Sequence, residues 1–162
     1  MDELAMTCRT QHPRLVGMLA LYCGNQDVAE DLAQEALLRL CRDWRRVRKL
    51  DSPEAWLHRV AINLAHSFYR RRAIENRVRG LLRGRAVERT SQQAADVETL
   101  ELLQPLPHRQ RVALVLHYYL DMTVGDVARV MKVPEGTVKT LIHRGTERLR
   151  TSTSALEASD VV

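Results

Sequence analysis

Residues Thr123 to Arg144 read T-V-G-D-V-A-R-V-M-K-V-P-E-G-T-V-K-T-L-I-H-R, and the spacing predicts two short helices around a sharp turn. Thr123, with Asp126 three positions on, forms a capping box for the first helix, whose inner face is Val127, Ala128 and Met131. Lys132-Val133 is the turn. Pro134 takes a first helical position, where its missing N–H does no harm, and Val138, Leu141 and Ile142 continue the buried stripe. Glu135, Thr137, Lys139, Thr140, His143 and Arg144 are left facing outward. A helix set at this angle behind a tight turn is how many proteins enter the DNA major groove. Apolar stripes alone would fit any helical hairpin; the cap, the turn and the basic outer face favour DNA binding.

Working outward, the 162 residues fit two small domains better than one, because the composition breaks in the middle. Residues 1–75 hold 12 Lys/Arg against 10 Asp/Glu, and residues 96–162 hold 8 against 9, so both blocks are nearly neutral. The stretch 76–95 holds 5 Arg against 1 acid and so carries most of the chain's net +5. With Gly80, Gly84 and Thr90-Ser91-Gln92-Gln93 it reads as a flexible basic linker, or equally as a solvated tether. The expected class is all-α: a helical domain over 1–75, the linker over 76–95, a helix-turn-helix domain over 96–150, and a Ser/Thr-rich tail over 151–162 expected to be disordered.

The front block reads as three helices. Leu4, Cys8, Leu15, Met18, Leu19 and Tyr22 mark the first, with Pro13 as a kink or break and Gly24-Asn25 as its end. A capping box of Asp27 with Glu30 starts the second, which places Ala29, Leu32, Ala33, Ala36, Leu37, Leu40 and Trp44 on one face. Asp31, Gln34, Glu35, Leu38 and Arg42 fall on the other, so that a leucine sits among charges as a docking point or as an ordinary exposed apolar side chain. Ser52 caps the third helix with Pro53 behind it; its inner face is Leu57, Val60, Ala61, Leu64 and Phe68. Its outer face presents Arg59, Ile62, Asn63, His66, Tyr69 and Arg70 and ends in Arg70-Arg71-Arg72. Cations interleaved with an aromatic and an amide suit a nucleic-acid strand, where rings stack on bases and arginines meet phosphates. A basic helix end is also simple dipole compensation.

Several classes are excluded. The apolar stretches are too short for a spanning helix, and Met1-Asp2-Glu3 lacks the basic lead of a signal peptide, so a cytoplasmic protein without membrane insertion is expected. Cys8, Cys23 and Cys41 are odd in number and lack C-x-x-C spacing; they read as small buried hydrophobes in a reducing compartment, with no disulfide framework and no metal site. No enzyme is expected: the histidines His58, His66, His108, His117 and His143 have no paired carboxylate, nucleophile or phosphate-cradling glycine loop beside them, and no cofactor is implied.

Four segments together carry a family resemblance: D-V-A-E-D-L-A-Q-E-A-L-L-R-L (Asp27 to Leu40), W-L-H-R-V-A-I-N-L-A-H-S-F-Y-R-R-R (Trp56 to Arg72), L-P-H-R-Q-R-V-A-L-V-L (Leu106 to Leu116) and V-P-E-G-T-V-K-T-L-I-H-R (Val133 to Arg144). In this order, over about Leu4 to Arg150, the chain resembles the extracytoplasmic function (ECF) sigma factors of bacterial RNA polymerase. The resemblance implies that the face with Asp31, Gln34, Glu35, Leu38 and Arg42 docks on the clamp helices of the largest subunit of core RNA polymerase, with the flap as a second contact. It implies that the segment Arg45 to Arg72, with Arg59, Asn63, His66, Tyr69 and Arg70, captures and opens the promoter −10 element. It implies that the helix from Pro134 to Arg150, with Glu135, Thr137, Lys139, Thr140, His143 and Arg144, reads the −35 element. The linker would then run toward the RNA exit path, and an anti-sigma factor is the common control in such proteins.

The chain departs from the family's pattern at Leu141 and Thr146, where arginines are usual, and at Lys132, where the turn usually has Gly. Fewer basic contacts weaken phosphate anchoring and its salt dependence, and a lysine with positive φ is tolerated at some cost. The alternative from another class is a stand-alone helix-turn-helix regulator. It explains Thr123 to Arg150 equally well, but gives no reason for the outward Asp31-Gln34-Glu35-Leu38 patch.

Overall fold

The computed structural model of the chain describes residues 2–82 and 97–159. All regular structure among the described residues is helical: α1 (Asp2–Cys23), α2 (Gln26–Val47), α3 (Pro53–Leu82), α4 (Val97–Leu103), α5 (His108–Leu114), a π-helical continuation (Val115–Tyr119), α6 (Val124–Met131) and α7 (Glu135–Ser159).

Helices α1 and α2 form an antiparallel hairpin. Gly24, with φ of +69°, supplies the left-handed residue that ends α1, and its N–H donates to Ala20 O at 2.8 Å. Asn25, and not Asp27, is the cap of α2: its Oδ1 accepts from the Val28 N–H at 2.9 Å, while Asp27 lies in the first turn, where its charge favours the positive helix end. The expected Asp27–Glu30 box is thereby corrected. An asparagine directly after a left-handed glycine has extended backbone available, and Asp27 is already the second residue of the helix. Ser52 caps α3 as expected, Oγ accepting from the Ala55 N–H at 3.2 Å.

The faces read from periodicity meet in the front core: Leu15, Met18 and Leu19 of α1, Ala29, Leu32, Ala33, Ala36 and Leu40 of α2, and Leu57, Ala61 and Ala65 of α3 are buried. The small α2 residues let the helices approach closely. Two polar side chains share this core. Gln11 Nε2 donates to Glu54 Oε1 at 2.9 Å, and His58 Nδ1 donates to Glu54 O at 2.8 Å. His58 is 1 % exposed, so burial holds its imidazole below the usual histidine range and keeps it neutral. Leu40→Ala, emptying a fully buried site, is expected to cost about 2–5 kcal/mol in denaturant unfolding.

Three helix extents differ from expectation. Helix α1 runs through Pro13 without ending, because the lost hydrogen bond is outweighed by packing along α2. Helix α3 continues to Leu82, so residues 76–82 are helical and not linker. Apart from Gly80 nothing there disfavours a helix, and a lone glycine costs only about 1 kcal/mol. Residues 83–95 of the expected linker lie outside the described residues. Helix α7 continues to Ser159, so most of the expected disordered tail is helical: Thr151, Ser152, Thr153 and Ser154 each donate a hydroxyl to the carbonyl four residues back, at 3.0 Å.

The back half packs α5 and α6 on α7 around Val112, Leu116, Val127, Val130 and Val138. Within the helix-turn-helix, Thr123 Oγ1 accepts from the Asp126 N–H at 3.1 Å and donates to Asp126 Oδ2 at 2.8 Å, closing the box through side chains. Lys132 stands at φ 55°, ψ 49°, the left-handed turn that a glycine usually occupies. Pro134 is one position earlier than expected, as the cap: its carbonyl accepts from Thr137 N at 3.0 Å and Val138 N at 3.2 Å. Front and back halves are in contact and their buried residues form one contiguous cluster. Tyr119, at the end of the π-helical segment, lies with its hydroxyl directly against Gly17 of α1, where any side chain would collide with it.

Candidate nucleic-acid and partner interface

Three surfaces hold the residues singled out from the sequence. On α2, Asp31, Gln34, Glu35, Leu38 and Arg42 are all exposed, directly opposite the buried alanine and leucine stripe. Leu38 is 64 % exposed, a large apolar side chain on an otherwise charged face. Glu35 accepts from Arg39 Nε at 2.9 Å, and Arg42 Nε lies 3.7 Å from Asp43 Oδ1. Exposed pairs of this kind contribute about 0–1 kcal/mol and are readily exchanged for a partner's charges.

On α7, Glu135, Lys139, Thr140, His143 and Arg144 are exposed and Thr137 is half-buried. The Thr140 hydroxyl donates to Gly136 O at 3.0 Å, which leaves its oxygen free to accept. Leu141 is half-buried and joins the apolar side of the helix, and Thr146 donates its hydroxyl to Ile142 O at 2.8 Å. The two positions without the usual arginines are therefore occupied with packing and with the helix itself.

The α3 surface is divided. Asn63 and Arg70 are exposed, but Arg59, His66 and Tyr69 face the second half of the chain or the turn after α1. Arg59 Nε donates to Val130 O at 3.0 Å and its Nη2 to Arg129 O at 2.7 Å, so this guanidinium caps carbonyls in the last turn of α6. His66 stacks on His108 of α5, ring centroids 4.1 Å apart. Tyr69 donates its hydroxyl to Cys23 O at 3.0 Å, and burial pushes its phenol above the usual range.

At the centre of this junction lies Tyr22. Its hydroxyl is hydrogen-bonded to His108 Nδ1, and its ring meets Tyr69 and His108 edge-on at 6.5 and 5.3 Å. Arg111 sits 5.3 Å from the ring centroid, donating to Tyr22 O at 3.1 Å and to Gln104 O and Leu106 O at 2.8 and 3.1 Å. Burial pushes the Tyr22 phenol up to about 12, and burial followed by the charges of His66, Arg111 and Arg109 pulls His108 down to about 4. At neutral pH the phenol is therefore the donor, Nδ1 the acceptor, and the imidazole proton sits on Nε2. The sequence places Tyr22 on the stripe of α1 and His108 among histidines without partners, and does not single out Arg111, since nothing in the spacing of one helix marks a residue that meets another element across the junction.

The junction carries a pH dependence. With the folded value of His108 at about 4 and the ordinary value at 6.5, the separated halves bind more protons than the closed chain between those limits. Closure therefore weakens as pH falls from 6.5 toward 4 and levels off below. The groups facing His108 are His66, Arg109 and Arg111, none of which offsets a new positive charge, and the neutral phenol of Tyr22. The radius of gyration by small-angle scattering should rise over this window, and His108→Phe should flatten the rise.

Among the described residues no helix is long and apolar enough to cross a membrane. Residues 8–74 match the family model for Sigma-70 region 2, and residues 96–149 that for Sigma-70 region 4. The RNA polymerase sigma-E factor of Streptomyces avermitilis is 32 % identical, over 82 % of this chain and 73 % of that protein. The ECF RNA polymerase sigma factor SigW of Bacillus subtilis is 32 % identical, over 78 % of this chain and 76 % of its own. In fold, the chain is similar to the sigma factor RpoE of Bartonella quintana, in a complex with the anti-sigma factor NepR, with a TM-score of 0.76 at 21 % identity over 93 % of this chain and 96 % of that one. It is also similar to CnrH, in a complex with the cytosolic domain of CnrY, with a TM-score of 0.69 at 17 % identity, over 94 % and 88 %. A stand-alone helix-turn-helix regulator would leave the region 2 match over the front half without a reason. With both regions present in order, the chain belongs to the ECF sigma factors of the sigma-70 family, which direct promoter-specific transcription initiation by RNA polymerase.

Proposed function

We propose that the three surfaces divide the work of initiation. The α2 face, Asp31, Gln34, Glu35, Leu38 and Arg42, docks on core RNA polymerase. Arg59, Asn63, His66, Tyr69 and Arg70 of α3 hold the unpaired −10 strand, and Glu135, Thr137, Lys139, Thr140, His143 and Arg144 of α7 read the −35 element. On this reading residues 1–75 and 96–150 are the two working domains. The observation that carries it is the exposed Leu38 among charges on a helix whose opposite face is fully buried, within the segment that matches region 2. Because Arg59 is held by carbonyls of α6 and His66 is stacked on His108 of α5, the halves must separate before these two side chains of α3 can take a strand. That the similar RpoE is held by an anti-sigma factor supports such control here, with release of that factor permitting separation.

The test is promoter binding with and without core polymerase. Sequence-specific retention of duplex promoter DNA is expected only when core enzyme is present, and full specific binding by the chain alone would return the reading to a stand-alone regulator. For the strand-holding face, Asn63→Ala with Arg70→Ala is expected to reduce permanganate-reactive open complex while sparing core binding. Each lost bond to a charged group is worth about 1.5–3 kcal/mol. Full reactivity in that variant would make the face structural only.

A further inference from the structure

The three cysteines are not alike. Cys23 is buried, as expected, but Cys8 is half-buried and Cys41 exposed, which corrects the expectation of three buried hydrophobes. Cys8 and Cys41 sit at matched register in the α1–α2 hairpin. Cys8 lies fifteen positions before Cys23, where α1 ends, and Cys41 lies fifteen after Gln26, where α2 starts. Antiparallel packing brings the two sulfurs to 3.9 Å, in contact, at a solvent-reachable edge. A disulfide needs sulfurs at about 2.05 Å, so roughly 2 Å of approach, within reach of side-chain rotation, closes the pair.

We propose that Cys8 and Cys41 are a dithiol that closes to an intramolecular disulfide under a peroxide oxidant and reopens with a thiol reductant, stapling α1 to α2. The exposed Cys41 is the attacking group. Its thiolate takes one oxygen of hydrogen peroxide, the O–O bond breaks, and Cys41 sulfenic acid and hydroxide result. The Cys8 sulfur then attacks the Cys41 sulfur, the S–S bond forms, the S–O bond breaks, and the departing hydroxide takes the Cys8 proton as water. Two thiols lose two electrons, and one peroxide becomes two waters. The order of events follows from position: Cys8 is the more enclosed, and burial together with its contact to Cys41 raises its thiol above the usual range, so it rests protonated as the resolving partner. Cys23 takes no part, since burial pushes its thiol up to about 12 and it lies at the far end of the hairpin. The closed staple constrains the unfolded chain across 33 residues and raises the stability of the front half.

The test uses the full-length chain, treated with dilute hydrogen peroxide, blocked with iodoacetamide and digested with trypsin without reduction. The expected product links residues 1–9 to residues 40–42 with the loss of two hydrogens, is absent after dithiothreitol, and is accompanied by a reductant-reversible rise in Tm. Cys8→Ser should instead trap a dimedone-reactive sulfenic acid on Cys41; Cys41→Ser should give neither product; Cys23→Ser should behave as wild type. Cys8 and Cys41 both still alkylated by iodoacetamide after peroxide, a link through Cys23, or cross-linking only between chains would each overturn the proposal.

Discussion

Leu38→Arg combined with Glu35→Lys is expected to abolish association with core RNA polymerase while leaving the fold unchanged. Leu38 is 64 % exposed and touches none of the front core, so its replacement opens no cavity. Among the described residues Glu35 is paired only with Arg39, both at the surface, and losing that pair costs at most about 1 kcal/mol. In a docked complex the same two positions behave differently. An apolar side chain surrounded by charges becomes a desolvated anchor, and truncation of such anchors typically costs about 2 kcal/mol or more, a loss of roughly thirty-fold or greater in affinity. Putting two cations there adds like-charge or desolvation penalties to the lost contact. Far-UV circular dichroism and the denaturation midpoint should match those of the wild-type chain, and core enzyme should fail to co-purify. Wild-type yield of core enzyme on a correctly folded double variant would falsify the docking role of α2.

The parts of the fold that could be read from the residues are those in which one helix carries its own signal. Ser52 before Pro53, and Thr123 with Asp126 ahead of the turn at Lys132, are local hydrogen-bond arrangements, and the structure forms them. The buried stripe of α2 from Ala29 to Leu40 follows from a period of 3.6 in one segment. What escaped depends on competition or on distance. Asn25 displaced Asp27 as a cap because Gly24 turns the chain one residue earlier. Helices α3 and α7 run on past their expected ends, where residues 76–80 and 151–154 are exposed and leave no buried stripe to reveal them, helped at the latter by hydroxyl-to-backbone bonds on residues that composition reads as disorder. Arg59, His66 and Tyr69 belong to the outward face of α3 by periodicity, yet their partners are carbonyls of α6, the ring of His108 and the carbonyl of Cys23. Periodicity tells which side of a helix is polar; it carries no information about which other element that side meets.

On the recognition helix, Arg144→Ala and Lys139→Ala are expected to fail in different ways. Both side chains are exposed, on a helix whose Val138 is fully buried and fixes its rotation against the rest of the domain. Two further positions that could anchor phosphate have been given up: Leu141 is packed among apolar side chains, and the Thr146 hydroxyl is held by Ile142 O. On the proposed reading of α7, the remaining cations on this surface carry a larger share of the binding, and each loss is expected to weigh more. Lys139 is a point charge suited to phosphate, whereas the planar fork of Arg144 can meet the two acceptors of a guanine. Lys139→Ala should weaken all promoters about equally and lower the slope of log affinity against log salt by roughly 0.9. Arg144→Ala should cost about 1–3 kcal/mol on the preferred sequence and much less on others, flattening base preference at one position of the −35 element. Thr146→Arg, which supplies a cation one turn beyond Ile142, should restore part of the salt slope to Lys139→Ala without restoring base preference to Arg144→Ala. Transcription from a library randomised across the −35 element, at two salt concentrations, reads all three effects at once. If both alanine variants kept the wild-type preference profile and yield, α7 would not be the −35 reader, whatever the front half does.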